Sequence, residues 1–566
     1  MSAHFRMIRI RSIALNPAFI CILVSLAAIT PFFLIGEERG TGCCGGTMPV
    51  THDGVAHFNL MQSFYGSLRE GNLYPSWQAE TNRGYGAPAT IFYPPAIYYL
   101  TSLIHVFARS WLATFWIAYV ILMVGSGISF YALARSSLST RAASIAMVAY
   151  LIAPYHLINH YQRAAIAECL GMVWLPLVIL FAFDRRYSNL SRFIGLAMSS
   201  GLLLWSHPPT AYQTALVFGP ILVAADIWRR QWKHLVVAGL ATVAGILIAS
   251  AYVLPAFFEQ HFIHADDIAM TWPYAESYVF NFASTRYNHY KDDFIVRIDY
   301  IWLLCSFQVL AAAVWLIAFK LRTALLWITA GLISLFLMTK LSAPFNSLIP
   351  GLAIGVFSWR MLAIASLSVA LLAGCAYNAF KNRVRQFRLQ QYSGLAISLA
   401  IVFSSLLFSV IYVGMPMYRA EAFKPNPGHS HFSLLPVTAY EEAVDGPPVI
   451  VVSGKGEFSI VKWNSEERIV RMNMQEAGTV SVRTYFFPGW TAIAKDSELE
   501  VRPGTDGEIL AAVPEGKYDL LLEFRPTRVR RVSRSITLVS LIIVAVLAVI
   551  DQFKRKRRHQ SAILTT

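Results

Sequence analysis

Residues 111–133 read WLATFWIAYVILMVGSGISFYAL, an uncharged apolar run closed by Arg135. A helix rising 1.5 Å per residue over that length crosses the ~30 Å hydrocarbon core of a bilayer. Runs of similar character lie at about 14–35, 142–158, 165–183, 191–206, 209–227 and 234–255, and again at about 299–319, 322–339, 357–379, 392–414 and 533–551. The reading is a polytopic helical membrane protein of about 12 spans. The runs 191–206 and 209–227 are short and parted only at His207-Pro208-Pro209. Composition agrees: of 566 residues, 56% are hydrophobic and only 14% charged, where a soluble domain carries about a quarter charged. That excludes a cytosolic multidomain enzyme, a disordered chain and a fibrous one.

The formal charge of +15 is gathered into short clusters between apolar runs, so it points to membrane orientation and not to nucleic acid. Arg6, Arg9 and Arg11 precede the first run, Arg135 and Arg141 follow the second, and Arg185, Arg186 and Arg192 follow the fourth. Arg229, Arg230 and Lys233, then Lys320 and Arg322, then Lys381, Arg383, Arg385 and Arg388 continue the alternation, and Lys554 to Arg558 close it. Basic connections stay in the cytoplasm. Both termini are therefore expected inside, in a bacterial inner membrane. The alternation requires that Ile91–Ala108, interrupted by Pro94-Pro95 and rich in Tyr, lie in the interface without crossing. No signal-peptide cleavage site follows the first run, which is expected to remain as an anchor. Cys21, Cys169, Cys305 and Cys375 fall in apolar runs as packing residues, while Cys43 and Cys44 sit in a Gly-rich outer loop where no spacing selects a bridge.

The organisation expected is a transmembrane region over 1–414 with a large first outer loop at 36–110, a β-rich outer domain over 415–532, and a last span with a basic tail over 533–566. The β reading rests on alternating runs such as 449–452, 468–472, 480–485 and 518–524, punctuated by Gly and Pro turns, and a small sandwich is expected.

Chemistry concentrates in the outer loops. Thr51-His52-Asp53-Gly54 precedes an amphipathic run, Val55 to Leu68, in which Phe58, Met61, Phe64, Tyr65 and Leu68 share a helical face suited to the membrane interface. Asp53 is placed either to cap that helix or to act as a general base at the membrane surface. Arg163 and Glu168, His207, Glu259 and Arg360 all fall at the same ends of their spans, where ionisable groups default to function or mutual pairing. Glu80 is a further outer carboxylate. His52, His57, His156 and His160 raise a metal question, but no third ligand is fixed by spacing, so a divalent cation is left open and no cofactor is assigned.

The motifs Leu73-Tyr74-Pro75-Ser76-Trp77, Gly84-Tyr85-Gly86-Ala87-Pro88, Phe92-Tyr93-Pro94-Pro95, Arg163 to Glu168, Trp359-Arg360-Met361-Leu362 and Phe487-Pro488-Gly489-Trp490 together resemble the GT-C class of membrane glycosyltransferases. Within it, the chain looks most like the YfhO-type bacterial proteins and the group named for a 6-pyruvoyl-tetrahydropterin synthase-related domain. The resemblance implies a polyprenyl-phosphate sugar donor, an envelope glycan or lipid acceptor, and inverting transfer on the outer face. It implies Asp53 as base, with Glu168 catalytic. Arg163 and Arg360 would face the donor phosphate; the resemblance assigns no role to His52, which with Glu80, His207 and Glu259 is expected in the substrate site from its outer-face position alone. The aromatic Tyr93, Trp77, Tyr85 and Trp359 are expected to stack on sugar faces. A lipid-linked oligosaccharide flippase or transporter, and a non-catalytic assembly partner, are the competing classes. Mid-span regions that are mostly apolar, with no visible repeat, weigh against transport.

Overall fold

A computed structural model describes residues 16–38, 48–49, 51–265, 273–284, 293–319, 324–346, 348–349, 357–381, 388–414, 422–423, 434–439 and 446–564. Cys43 and Cys44, and the basic residues Arg6, Arg9, Arg11, Lys320, Arg322, Arg383 and Arg385, lie outside the described residues.

The helices of eight residues or more are α1 (Pro17–Glu38), α2 (Gly54–Arg69), α3 (Ala96–Ala108), α4 (Trp111–Arg135), α5 (Thr140–Leu151), α6 (Pro154–Tyr161), α7 (Ile166–Phe183) and α8 (Asn189–Ser206). They continue with α9 (Pro208–Trp228), α10 (Trp232–Ile248), α11 (Ser250–Phe258), α12 (Phe294–Phe319), α13 (Leu325–Leu337), α14 (Leu362–Lys381), α15 (Arg388–Phe408) and α16 (Arg528–Leu564). A helix thus stands at each of the expected spans. Among the described residues, 7 are long and apolar enough to cross a membrane, or up to 9 when the bent pairs α5–α6 and α10–α11 each count as one. The first pair bends by 42° where Pro154 removes a backbone donor, and the second by 74°. At the other three places, α1, α8 and α13 form as expected but do not meet that measure on their described residues. Helix α3, at 13 residues, is too short to cross, in keeping with the expected interfacial Ile91–Ala108.

Pairing fixes two opposite ends of the bundle. Helix α4 begins against α2 and α3, where Trp111 packs on Phe58 and Tyr65, and ends at Arg135. Helix α7 starts beside Arg163 and ends before Arg185. One end therefore carries Asp53, and the other carries the basic connections. Helix α2 buries Phe58, Leu60, Met61 and Phe64 in the protein core. Its apolar face packs against α3 and, through Phe58 and Tyr65, against Trp111 of α4.

The β-rich segment builds two antiparallel sheets. Strands β3 (Val449–Ser453), β6 (Gly478–Tyr485), β10 (Glu508–Val513) and β9 (Val501–Pro503) form one, in that order. The other runs β4 (Gly456–Trp463), β5 (Glu467–Met474), β11 (Gly516–Phe524), β7 (Trp490–Ala494), β8 (Ser497–Leu499). Alternate residues point inward, as period-2 strands require. Val470, Met472, Leu520 and Leu522 meet Val480, Val482, Ile509 and Ala511 in one buried layer. A lone pairing of β1 (Met48–Pro49) with β2 (Ala422–Phe423) links the first loop to the segment after α15.

The first loop is clamped between this sandwich and the helices. Glu466 accepts the backbone N–H groups of Ser76 (2.5 Å) and Trp77 (3.1 Å), and the Tyr485 N–H donates to the Tyr85 carbonyl at 2.9 Å. Trp77 is buried among Phe487, Trp490 and Phe524. Gly86 adopts φ +77°, and a Cβ there would sit 2.2 Å from Trp77 Nε1, so both conformation and space demand glycine. The motifs on either side of this contact are thus first of all a docking seam.

Candidate active site

Two turns meet at the Asp53 end. The Thr51–Gly54 turn lies against the turn between α6 and α7: the His52 N–H donates to the Gln162 carbonyl (3.1 Å) and the Asp53 N–H to the Arg163 carbonyl (2.8 Å). Ala164 takes a left-handed φ of +54° to make the second turn, an arrangement that ordinary residues adopt only when their surroundings enforce it. A Cβ on Gly54 would fall 2.1 Å from Thr51 Oγ1, so the first turn closes only around glycine. These constraints hold Asp53 beside Arg163.

The side chains then assemble around Glu168, which is 1% exposed and stands in the first turn of α7. It accepts from Arg163 Nη1 at 2.6 Å, from the Tyr155 hydroxyl at 2.7 Å and from Asn159 Nδ2 at 3.3 Å. Arg360 Nε is 3.7 Å from the same oxygen, Oε2, that Arg163 holds. Arg163 also donates to Asn159 Oδ1 at 2.7 Å and reaches Asp53 Oδ2 at 3.7 Å. One buried carboxylate is therefore shared by two guanidinium groups. The second carboxylate, Asp53, is 43% exposed at the mouth of the cluster. Asp53 occupies the N-cap position of α2, yet among the described residues its side chain makes no cap hydrogen bond. The capping alternative thus lacks its defining contact.

His57, Tyr98 and Tyr93 form the adjoining wall. His57 Nδ1 is 3.0 Å from the Tyr98 hydroxyl, and the Tyr93 hydroxyl is 3.5 Å from Nε2. Burial pushes His57 down to about 4, with Arg163 adding to the fall and Asp53 opposing it. It is neutral near pH 7. Tyr93 is half-buried and within electrostatic reach of Asp53, Arg163, Arg360 and Glu168.

The remaining expected site residues divide. His207 is buried, caps α9 through its Nδ1 (3.3 Å from the Thr210 N–H, 2.7 Å from its hydroxyl) and lies within electrostatic reach of Glu168. Half-buried His52 sets its ring edge on Phe294 at 4.9 Å, and Phe294 in turn meets Trp359 at 5.4 Å. Trp359 is 2% exposed and stacked on Phe357, so it is a packing residue and not an open sugar platform. The same correction holds for Trp77 and for Tyr85, which is buried against Tyr485. Glu259 does not join the cluster: it pairs with Arg530 Nε at 2.8 Å and accepts from the Thr527 hydroxyl at 2.5 Å, pinning the base of α16. Glu80 is exposed and is not among the groups that meet Glu168. Tyr155 and Asn159 escaped the sequence reading. Their four-residue spacing on α6 was the available signal.

Metal chemistry finds no donor set here. Among the described residues, no group of three or more His, Cys, Asp or Glu converges. Asp53 and Glu168 are bridged by the Arg163 guanidinium. His156 faces Ser126 (3.3 Å) and the Tyr150 carbonyl (3.2 Å), and His160 Nδ1 lies 2.9 Å from the His156 carbonyl, so both are core groups. Among the described residues, those at this end do not form a donor set for a divalent cation.

A family model described as a family of unknown function, DUF6541, matches residues 13–430. No curated protein matches. Two solved structures are loosely similar. The apo Archaeoglobus fulgidus oligosaccharyltransferase gives a TM-score of 0.43 at 11% identity, over 72% of this chain and 56% of that one. ArnT from Cupriavidus metallidurans bound to undecaprenyl phosphate gives 0.38 at 16% identity, over 70% of this chain and 75% of that one. The chain thus spans little more than half the length of the archaeal protein.

Proposed function

The chain belongs to the DUF6541 family, whose function is unknown, and we propose that it is a membrane glycosyltransferase. The reaction moves a sugar from a polyprenyl-phosphate donor to an envelope glycan or lipid, with inversion, at the Asp53 end of the bundle. The observation that carries the reading is the pairing of a half-buried, uncapped carboxylate with the buried Arg163 guanidinium 3.7 Å behind it. Asp53 takes the proton of the acceptor hydroxyl as that oxygen bonds to the anomeric carbon. The bond from that carbon to the phosphate oxygen breaks, and polyprenyl phosphate departs with the electron pair. Arg163 and Arg360 meet the phosphate with planar donors, and Glu168 with Tyr155 and Asn159 holds Arg163 in position. The motif likeness to YfhO-type proteins supports the same class. So does the positive-inside pattern, which turns the Asp53 end outward from a bacterial cytoplasmic membrane.

The bent pairs α5–α6 and α10–α11 favour one rival, since broken helices are a transporter feature. Incubation of the purified full-length protein in nanodiscs with a labelled polyprenyl-phosphate sugar and envelope lipid extract separates the two. The proposal expects labelled acceptor and released polyprenyl phosphate. Intact donor after prolonged incubation contradicts it, and leaflet-to-leaflet movement of uncleaved donor in vesicles establishes transport instead.

A further inference from the structure

A second polar site lies at the far end of the bundle. Helix α16 runs from Arg530, paired with Glu259 near the first loop, to Asp551, which accepts from the Ser191 hydroxyl at 2.8 Å. Where this part of α16 meets the α7–α8 connection, a cavity of about 420 Å³ is lined by Arg186, Tyr187, Ser188, Ser191, Lys554 and Arg555, together with Asp551 and Leu190.

Charge in this cavity does not balance. Arg186 is answered by Asp184 (2.6 Å) and Arg555 by Asp551 (2.8 Å). Lys554 has no ion pair among the described residues and is the surplus cation. Arg555 also donates to Ser191 Oγ at 2.6 Å, which fixes its fork at the cavity wall. Ser188 caps α8, so the N-terminus of that 18-residue helix, with its positive dipole end, opens beside the same cations. The surplus Lys554, with Arg186 and Arg555 lining the same cavity, suits a phosphate group.

The membrane decides what carries that phosphate. Ile550 and Phe553, within a turn of Lys554, are 39% and 62% exposed, and Val546 and Val549 are more than half exposed just before them. These positions recur every three or four residues and so share one face of α16, an apolar face available to an acyl chain whose head group lies at Lys554. Basic pockets between spans at a bilayer surface recognise anionic head groups by this chemistry. We propose that the cavity between the α7–α8 connection and the Asp551–Arg555 turn of α16 binds the phosphate of an anionic phospholipid, separately from the Asp53 cluster.

The test uses full-length protein in detergent, with retained lipid counted by native mass spectrometry after exchange into phosphatidylglycerol or phosphatidylcholine. Wild type is expected to retain phosphatidylglycerol preferentially. Lys554→Gln, which breaks no ion pair described here, should weaken retention about fivefold, and Lys554→Gln with Arg555→Gln by about the square of that factor. Arg229→Gln with Arg230→Gln, exposed on the same end but outside the cavity, should leave retention unchanged. Equal retention in the Lys554 variants overturns the site. An equal loss in the Arg229 and Arg230 control reduces it to diffuse attraction and also overturns it. Displacement of the lipid by millimolar inorganic phosphate assigns a free-anion site and overturns the lipid.

Discussion

Replacing Glu168 by Gln removes the charge on which the buried cluster turns. Glu168 receives three hydrogen bonds, at 2.6, 2.7 and 3.3 Å, and a second guanidinium stands at 3.7 Å. Glutamine keeps the shape but turns an amide donor toward one of these donors. Arg163 then keeps Asp53, which is 43% exposed and 3.7 Å away, and Arg360 loses the carboxylate beside it. Stripping one partner from a buried charge pair costs about 3–5 kcal/mol, because the remaining charge stays desolvated. Asp53→Asn, by contrast, removes a solvent-screened contact and should cost about 1 kcal/mol or less. The assay is the thermal midpoint of the monodisperse peak for both variants in one detergent. Glu168→Gln should melt well below Asp53→Asn. Glu168→Gln with Arg163→Gln should recover part of the loss, a coupling of about 1–3 kcal/mol. Equal midpoints for the two single variants would refute the claim that Glu168 neutralises the cluster.

Arg360→Lys keeps the charge but loses the planar fork, so binding of labelled donor lipid should weaken about tenfold while the thermal midpoint holds; undiminished donor binding would make Arg360 a counter-ion only. Ser497 opens β8 and is exposed. A Ser497→Cys protein should react with an impermeant thiol reagent in cells stripped of their outer barrier, and labelling only after lysis would reverse the orientation. His57 sits at about 4, below its ordinary 6.5, because burial disfavours the cation. The unfolded chain therefore takes up a proton near 6.5 that the folded chain refuses until about 4. Stability from this group is complete above pH 6.5 and falls by up to about 3 kcal/mol as pH drops toward 4. Midpoints measured from pH 7.5 to 4.5 should fall less steeply in His57→Gln than in wild type, and parallel curves would count against a buried neutral His57.

The helices were legible because each is an apolar run bounded by basic or proline punctuation, and α2 was legible from its 3.6-residue pattern. Strands β3, β5, β6 and β11 were read from their alternation. Strand β4 was not, because it is an edge strand exposed along most of its length and shows no buried–exposed alternation. Strand β7 was hidden behind Phe487-Pro488-Gly489-Trp490, which reads as a loop motif. At the site, Asp53, Arg163, Glu168 and Arg360 stood out as charges at span ends. Glu259 stood out for the same reason and joins a different pair, since sequence cannot say that α16 brings Arg530 to it. On α6 the eye falls on His156 and His160, yet the face that meets Glu168 is one residue earlier, at Tyr155 and Asn159. A shift of one residue turns a helix by about 100°. Only tertiary packing selects between the two faces. Of the aromatic residues conspicuous as sugar platforms, Trp77 and Tyr85 fill the seam under the sandwich and Trp359 packs on Phe357, because an exposed and a buried tryptophan read alike in sequence.

The central claim is that Asp53 is the base of a sugar transfer. Its most direct test is the single-turnover rate of transfer from a labelled polyprenyl-phosphate sugar by wild type and by Asp53→Asn. Asparagine preserves shape and capping ability, and donor-lipid binding is measured in the same samples. The account predicts a folded variant that binds donor as wild type does and transfers on the order of 10²–10⁴ more slowly. Transfer within a few-fold of wild type would contradict it and return Asp53 to a purely structural place at the head of α2.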